Sequence, residues 1–297
     1  MLIAPPVGTG GTVSAKYCYS VFMRHRVIAA RYGLSKTPNC VVELGPGDSI
    51  GIGLMALLTG SENYCGIDAV VHASANTNLA VFEELILLLT NRTPIPFDGD
   101  WAEIRPPLSS YDFPHDIFDE ASLSAALAPE RLQKIRQWLL NKNPDSQISY
   151  LAPFGELDGL KPNSVDWIFS QAVMEHVDKL SATYHHCFRC LRPDGIMTHQ
   201  IDYRCHETAS EWNGHWKYPQ WLWALMRGRR PWFVNRVAHS AHRQMQQEAG
   251  FTICTEIMQT RPSGIARRQL ASQFQNMSND DLDSAGAMFV STKCTTK

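Results

Sequence analysis

A short apolar run that ends in Gly-x-Gly and passes at once into a helical stretch leaves a chain few folds to choose from. Residues Val41-Val-Glu43-Leu-Gly45-Pro46-Gly47-Asp-Ser49 have this form. The run reads as a strand of a parallel sheet, buried on both faces. The glycines allow the backbone to bend and to approach a ligand closely. Asp48 or Ser49 can cap the helix, and the free N–H groups of its first turn can meet a carboxylate or another polar ligand. Twenty-one residues after Gly47, a second short strand ends at Asp68. A carboxylate there can accept hydrogen bonds from both hydroxyls of a ribose. A lone Gly-x-Gly is equally well a tight turn, so the rest of the chain has to decide.

The rest of the chain alternates strand and helix. Helices are expected over 17–32, 49–58, 75–90, 122–141, 178–190 and 234–249. Strands are expected over 40–44, 63–68, 147–151, 165–170, 195–201, 251–257 and 285–292. Alternation of this kind implies a doubly wound α/β fold, a mostly parallel seven-stranded sheet with helices on both faces. Only a loop joins the last two strands, which allows one antiparallel strand near the sheet edge. Residues 1–37 read as an N-terminal arm and helix, and 38–297 as one domain. Two stretches are too long for single crossovers. Insertions, largely helical, are therefore expected at about 75–146 and 203–234.

Composition excludes more than it assigns. The 297 residues carry 27 Lys+Arg against 29 Asp+Glu, so no overall field would gather nucleic acid. Apolar residues make up 44% of the chain, enough for a real core. No window reaches the roughly 18 consecutive apolar residues of a membrane span, so no stable membrane insertion is expected. The eight cysteines are scattered through apolar surroundings, which reads as reduced thiols in a cytoplasmic protein. Cys187 and Cys190 form a CxxC preceded by His185 and His186. With no second ligand pair in view, helix packing is the preferred reading, and no resident metal is expected.

Three segments together resemble a known family. Glu43-Leu-Gly45-Pro46-Gly47 resembles motif I of the class I (Rossmann-like) S-adenosylmethionine-dependent methyltransferases. Val165-Asp166-Trp-Ile-Phe-Ser170-Gln171-Ala-Val-Met-Glu175-His176-Val177 resembles the family's segment around strand four. Leu191-Arg-Pro-Asp194-Gly195 resembles its turn before strand five. The motifs are similar to those of the type 11 group, and they anchor about half the chain. The resemblance implies S-adenosyl-L-methionine as cofactor. Gly45, Pro46 and Gly47 would line its methionine part, Glu43 would organise the turn or reach the amino group through water, and Asp68 would hold the ribose. Ser170 and Gln171 would face the methionine moiety. Ser49 stands where motif I usually has a third glycine. After strand three the family often has an acidic residue against the adenine. Here Phe154 holds that place, beside Gly155, and would stack on the ring while a backbone N–H bonds it, with Glu156 as the second choice.

Methyl transfer to a small molecule is the expected activity, at oxygen before nitrogen or carbon, because candidate bases stand near strands four and five. These are His176, His199 and Asp202; His199, Asp202 and His206 could instead bind a metal. The insertion 203–234 holds five of the eight tryptophans, with Arg204, Arg227, Arg229 and Arg230. It is expected over the acceptor, as walls for a flat or apolar body with an acidic group. Packing on the domain, a homodimer contact or an interfacial helix are the alternatives for the insertion. Two rival functions remain at this point. A nicotinamide-dependent oxidoreductase is disfavoured by Ile50 at the third glycine position of GxGxxG and by the lack of a Tyr-x-x-x-Lys pair. A non-catalytic partner protein on a cofactor fold is disfavoured by the intact Gly45, Gly47 and Asp68.

Overall fold

The computed structural model describes residues 11–97, 104–141, 146–153, 159–230 and 232–294. Seven strands form one sheet: β1 Cys40–Leu44, β2 Asn63–Ile67, β3 Ile148–Leu151, β4 Val165–Gln171, β5 Leu191–Asp202, β6 Thr252–Thr260 and β7 Ser284–Thr292. Their spatial order is β3-β2-β1-β4-β5-β7-β6. Neighbours from β3 through β5 are parallel, and β7 runs antiparallel between β5 and β6. The order reverses between β1 and β4, so loops there diverge to opposite faces and leave a crevice at the carboxyl ends of the strands.

The pleat sorts the core into two layers. Val41, Tyr64, Trp167 and Phe169 face one layer, and their neighbours Val42, Cys65 and Ile168 face the other. Helices α1 Ala15–Arg31, α2 Gly51–Leu58, α3 Ala75–Thr90, α4 Glu120–Ala126 and α5 Pro129–Asn141 cover the first. Helices α6 Leu180–Cys190 and α8 His239–Glu248 cover the second, while α7 Gln220–Arg227 belongs to the second insertion and α9 Asn279–Asp283 precedes β7. Helix α1 is not an appendage. Cys18, Phe22 and Ile28 lie in the same cluster as Val41 and Trp167. The chain after α3 braces it: Tyr19 donates to the carbonyl of Thr93, Ser20 to that of Pro96, and Arg24 Nε to that of Pro106.

Two expected elements change. The single helix over 122–141 is broken into α4 and α5. Pro129 opens α5, where its missing N–H costs nothing and its ring would clash with a continuing helix. The turn Arg192-Pro-Asp-Gly195 bulges out of β5 instead of preceding it. Val165 pairs with Leu191 and Trp167 next with Ile196, and Asp194 takes a left-handed φ of 62° that Asp tolerates.

Candidate active site

The turn after β1 is held open by its two glycines. Gly45 has φ 67° and Gly47 φ 74°, a region where a side chain is strained. A Cβ on Gly45 would lie 2.5 Å from Cγ2 of Val173, so the approach of the post-β4 chain also demands glycine. The turn is tied to the end of β2. Gly45 N–H donates to the Ile67 carbonyl at 2.7 Å, and Gly47 N–H donates to Asp68 Oδ2 at 3.0 Å. Ala69 N–H takes the other oxygen, Oδ1, at 2.8 Å. Pro46 is buried over Gly66 of β2. Four of the sequence-named residues, Gly45, Pro46, Gly47 and Asp68, thus meet at one place.

Glu43 lies below this turn, 2% exposed, and faces α2. The Tyr64 hydroxyl donates to its Oε2 at 2.6 Å, and the Gly53 main-chain N–H also bonds to it. Burial pushes its carboxyl up to about 8 despite those two donors, and the charge of Asp68 adds to the rise. Folded Glu43 therefore keeps a proton that the unfolded chain has lost above about pH 4.5. Its contribution to stability is complete below that pH and is lost as pH rises through 8, at up to about 1.4 kcal/mol per pH unit. Glu43→Gln cannot titrate, and whatever its amide costs is independent of pH. Melting curves at about pH 5, 6.5 and 8 should show the variant gaining on the parent throughout. A difference that stays constant with pH would mean that Glu43 ionises normally.

The helix after the turn is not free to receive a ligand. Ser49 N–H donates to Thr12 Oγ1, Ile50 N–H to Asn78 Oδ1 and Gly51 N–H to Ser49 Oγ. The Ser49 hydroxyl in turn donates to the Thr12 carbonyl. The expectation of open N–H groups there is therefore corrected: Thr12 of the arm, Asn78 of α3 and Ser49 itself satisfy them.

At the ends of β4 and β5 the sequence candidates separate. Ser170 does not face the crevice. It is fully buried and hydrogen-bonds His199 Nδ1 at 2.7 Å. His199 is equally buried, beside Tyr184, and burial pulls its ring down to about 3, with His25 and His242 adding to the drop. A neutral imidazole with no path to the crevice cannot serve an acceptor as base, and it does not join a metal group with Asp202 and His206. Gln171 does reach the crevice. Its Oε1 is held by His25 Nε2 at 3.0 Å, and the other nitrogen of His25 is 2.9 Å from Thr198 Oγ1.

Asp202 also lines the crevice, and Arg204 grips it. The guanidinium Nε lies 2.9 Å from Oδ1 and Nη2 lies 2.6 Å from Oδ2. His176 lies half-buried against His206, ring centroids 5.1 Å apart. The crevice holds about 820 Å³. Besides Gln171 and Asp202 it is lined by Tyr17, Gln200 and the end of β6, with Arg105, Arg204 and Arg261. Sequence reasoning passed over Arg105, Arg261 and the His25 support. Arg261 had a signal: it follows a strand parallel to β5, so it ends at the same edge.

The tryptophan-rich insertion is placed differently from the expectation. None of its tryptophans is among the described residues that line the crevice. Trp216 packs on Ile265 and Leu270, and Trp223 on Phe233 and Val234. Arg236 stacks on Trp223 and Phe274 at 4.5 and 5.0 Å. The insertion is thus a satellite core, although Trp221 and Leu225 remain exposed. Phe154 and Gly155 lie outside the described residues. Cys187 and Cys190 are buried inside α6 and form no disulfide, and they join no metal-binding group among the described residues. No helix among them is long and apolar enough to cross a membrane.

No curated protein matches the sequence. Among solved structures the chain is similar to the Haloferax volcanii partner of the Trm112 methyltransferase activator. The identity is 13%, the match covers 94% of this chain and 92% of that one, and the TM-score is 0.44. It is also similar to an S-adenosylmethionine-dependent methyltransferase from Mesorhizobium loti, at 13% identity, covering 89% and 96%, with a TM-score of 0.43. Phosphoethanolamine N-methyltransferase 2 of Haemonchus contortus, in complex with S-adenosyl-L-methionine, matches at 12% identity over 94% of this chain and 57% of that one, with a TM-score of 0.43. Residues 19–256 match the family model described as a methyltransferase domain. The chain belongs to that family, which sets aside the nicotinamide and non-catalytic readings: it is an S-adenosylmethionine-dependent methyltransferase of the class I α/β fold.

Proposed function

We propose that the protein methylates an oxygen of a small molecule that carries an anionic group. The observation that carries this reading is the crevice at the carboxyl ends of β4, β5 and β6. Its size suits a small acceptor, and three arginines and one carboxylate line it. The residues beside it fit S-adenosylmethionine, because the glycine cradle excludes a Cβ at Gly45 and sets a carboxylate, Asp68, next to it. Glu43 would support the turn from below; Gly45, Pro46 and Gly47 would line the methionine part, Asp68 would take the ribose, and Gln171 would border the transferred group.

When bound, that cofactor supplies an electrophilic methyl on a sulfonium sulfur. The chain's own task is to align an acceptor and exclude water. Arg105 and Arg261 would anchor the acceptor's anionic group, leaving Arg204 to fix the carboxylate of Asp202. Asp202 is the acidic side chain among the described lining residues. It would accept the proton of an acceptor hydroxyl as the oxygen is alkylated. His199, buried, has no such part.

The test supplies the protein with methyl-labelled cofactor and a cell extract separated by size and charge. Label is expected in a small anionic product, in a bond whose cleavage marks an oxygen ester or ether. Label confined to protein or nucleic acid, or on nitrogen, overturns the reading. Arg105→Ala and Arg261→Ala should each raise the acceptor KM about 10-fold to 100-fold, the value of a charged hydrogen bond, with cofactor affinity unchanged.

A further inference from the structure

The segment after β4 and the segment after β5 meet in a way that the methyl-transfer reading does not use. Glu175 and His176 lie in the 3-10 turn Met174–His176, and His206 lies four residues beyond Asp202. One ligand atom from each of the three falls within 4.8 Å of the others. This is the one such group among the described residues.

Glu175 gives the independent sign of a missing partner. It is 2% exposed, and neither Oε atom has a hydrogen bond of normal geometry among the described residues. The main-chain N–H groups of Glu175 and Asp202 come close enough only to temper its burial. A buried carboxyl with no proper donor is costly, and a cation is the partner that would relieve it. His176 repeats the pattern, with Nδ1 buried and unpartnered while the ring is held by the Trp232 main-chain carbonyl. A ligating imidazole is typically held in just this way, one nitrogen to a carbonyl and the other to the metal. His206 has its own orienting group, since Asp202 Oδ2 lies 3.5 Å from His206 Nε2.

The scaffold is rigid where it needs to be. Asn235 N–H donates to the Glu175 carbonyl at 2.7 Å, and its amide donates to the carbonyls of Met174 and Val177 at 2.8 and 3.0 Å. The Glu-His turn is thereby fixed before any ligand arrives.

We propose that Glu175, His176 and His206 form a binding site for one divalent transition-metal ion of the zinc type, with Asp202 orienting His206. Two imidazoles and a carboxylate suit Zn²⁺, Co²⁺ or Fe²⁺ and are a poor set for Mg²⁺ or Ca²⁺. Bonds of about 2.0–2.2 Å require the three ligand atoms to close in by roughly 1 Å, a side-chain adjustment. Three protein ligands leave coordination positions for water or a substrate oxygen. Asp202, the group beside His206, also lines the acceptor crevice.

The experiment strips the full chain with chelator and titrates it with Zn²⁺ by calorimetry, and with Co²⁺ by visible absorption. Neither cofactor nor acceptor is present, so the readout does not depend on what is methylated. One equivalent is expected to bind, with Co²⁺ bands of tetrahedral or five-coordinate type. Glu175→Gln and His206→Ala should each weaken binding at least 10-fold; His206 is partly exposed, so its variant should keep the fold, as circular dichroism would show. No saturable binding, or binding as tight in both variants as in the parent, overturns the proposal; in the second case the metal is held by histidines elsewhere on the surface.

Discussion

Asp68→Ala should weaken S-adenosylmethionine binding by about two orders of magnitude while leaving the protein folded. Two hydrogen bonds from ribose hydroxyls to one carboxylate are each worth about 1.5–3 kcal/mol, and about 3 kcal/mol is roughly a 100-fold change in Kd. The carboxylate has a second task, since it accepts the N–H of Gly47 and that of Ala69. The alanine variant therefore also loosens the cradle in which the methionine part would lie. Asp68→Asn separates the two effects. Its amide oxygen can still accept from Gly47, but the charge is gone, so an intermediate loss of about 10-fold is expected. Asp68 is only half-buried and ends a strand whose core residues are untouched, so the melting temperature without ligand should change little. Calorimetry with the cofactor decides the matter. An alanine variant that binds within threefold of the parent would show that the ribose is held elsewhere.

What the sequence disclosed follows from how local each feature is. The β1 turn was readable because a strand, two left-handed glycines and a following helix lie within nine residues, and each leaves its own mark on composition. Asp68 was readable because it ends the neighbouring strand. Its bond to Gly47 follows from the parallel pairing of β1 and β2, residue by residue from Cys40 with Asn63. The strand-four pair was only half readable. Alternation tells that Ser170 and Gln171 point opposite ways, but not which one faces the crevice. That depends on Tyr184 of α6 and His25 of α1, which enclose His199 and hold Gln171 respectively. Arg105 and Arg261 reach the crevice from chain segments far apart in sequence, and no local period records that meeting. The tryptophans of the insertion misled because a dense aromatic patch looks the same whether it walls a ligand or fills a satellite core. Ile265, Leu270 and Phe274, about fifty residues on, settle it as a core.

The same logic makes Gly53 the most exacting position in the fold. In an exposed helix, Gly→Ala is stabilising by about 1 kcal/mol. At Gly53, in the middle of α2, the sign should reverse. A Cβ there would lie 1.9 Å from Cε2 of Tyr64 and 2.1 Å from its Cζ. The ring is 1% exposed and anchored through its hydroxyl to Glu43, so it has no room to retreat without breaking that bond. Ile50, at the position of a third glycine in a dinucleotide motif, can be a branched core residue because the close approach of helix to strand is made three residues later. Overpacking of about 1–3 kcal/mol, together with a lost buried hydrogen bond of about 1–3 kcal/mol, predicts that Gly53→Ala lowers stability by about 2–6 kcal/mol. In a chain of this size that is a fall in melting temperature on the order of 10 °C. Gly159→Ala, with nothing within 4 Å of its Cβ, should leave the melt unchanged. Tyr64→Val removes the obstructing ring. If overlap is the cause, the double variant Gly53→Ala/Tyr64→Val should lose less than the two single losses together. Strict additivity would show that the loss at Gly53 does not come from overlap with the Tyr64 ring.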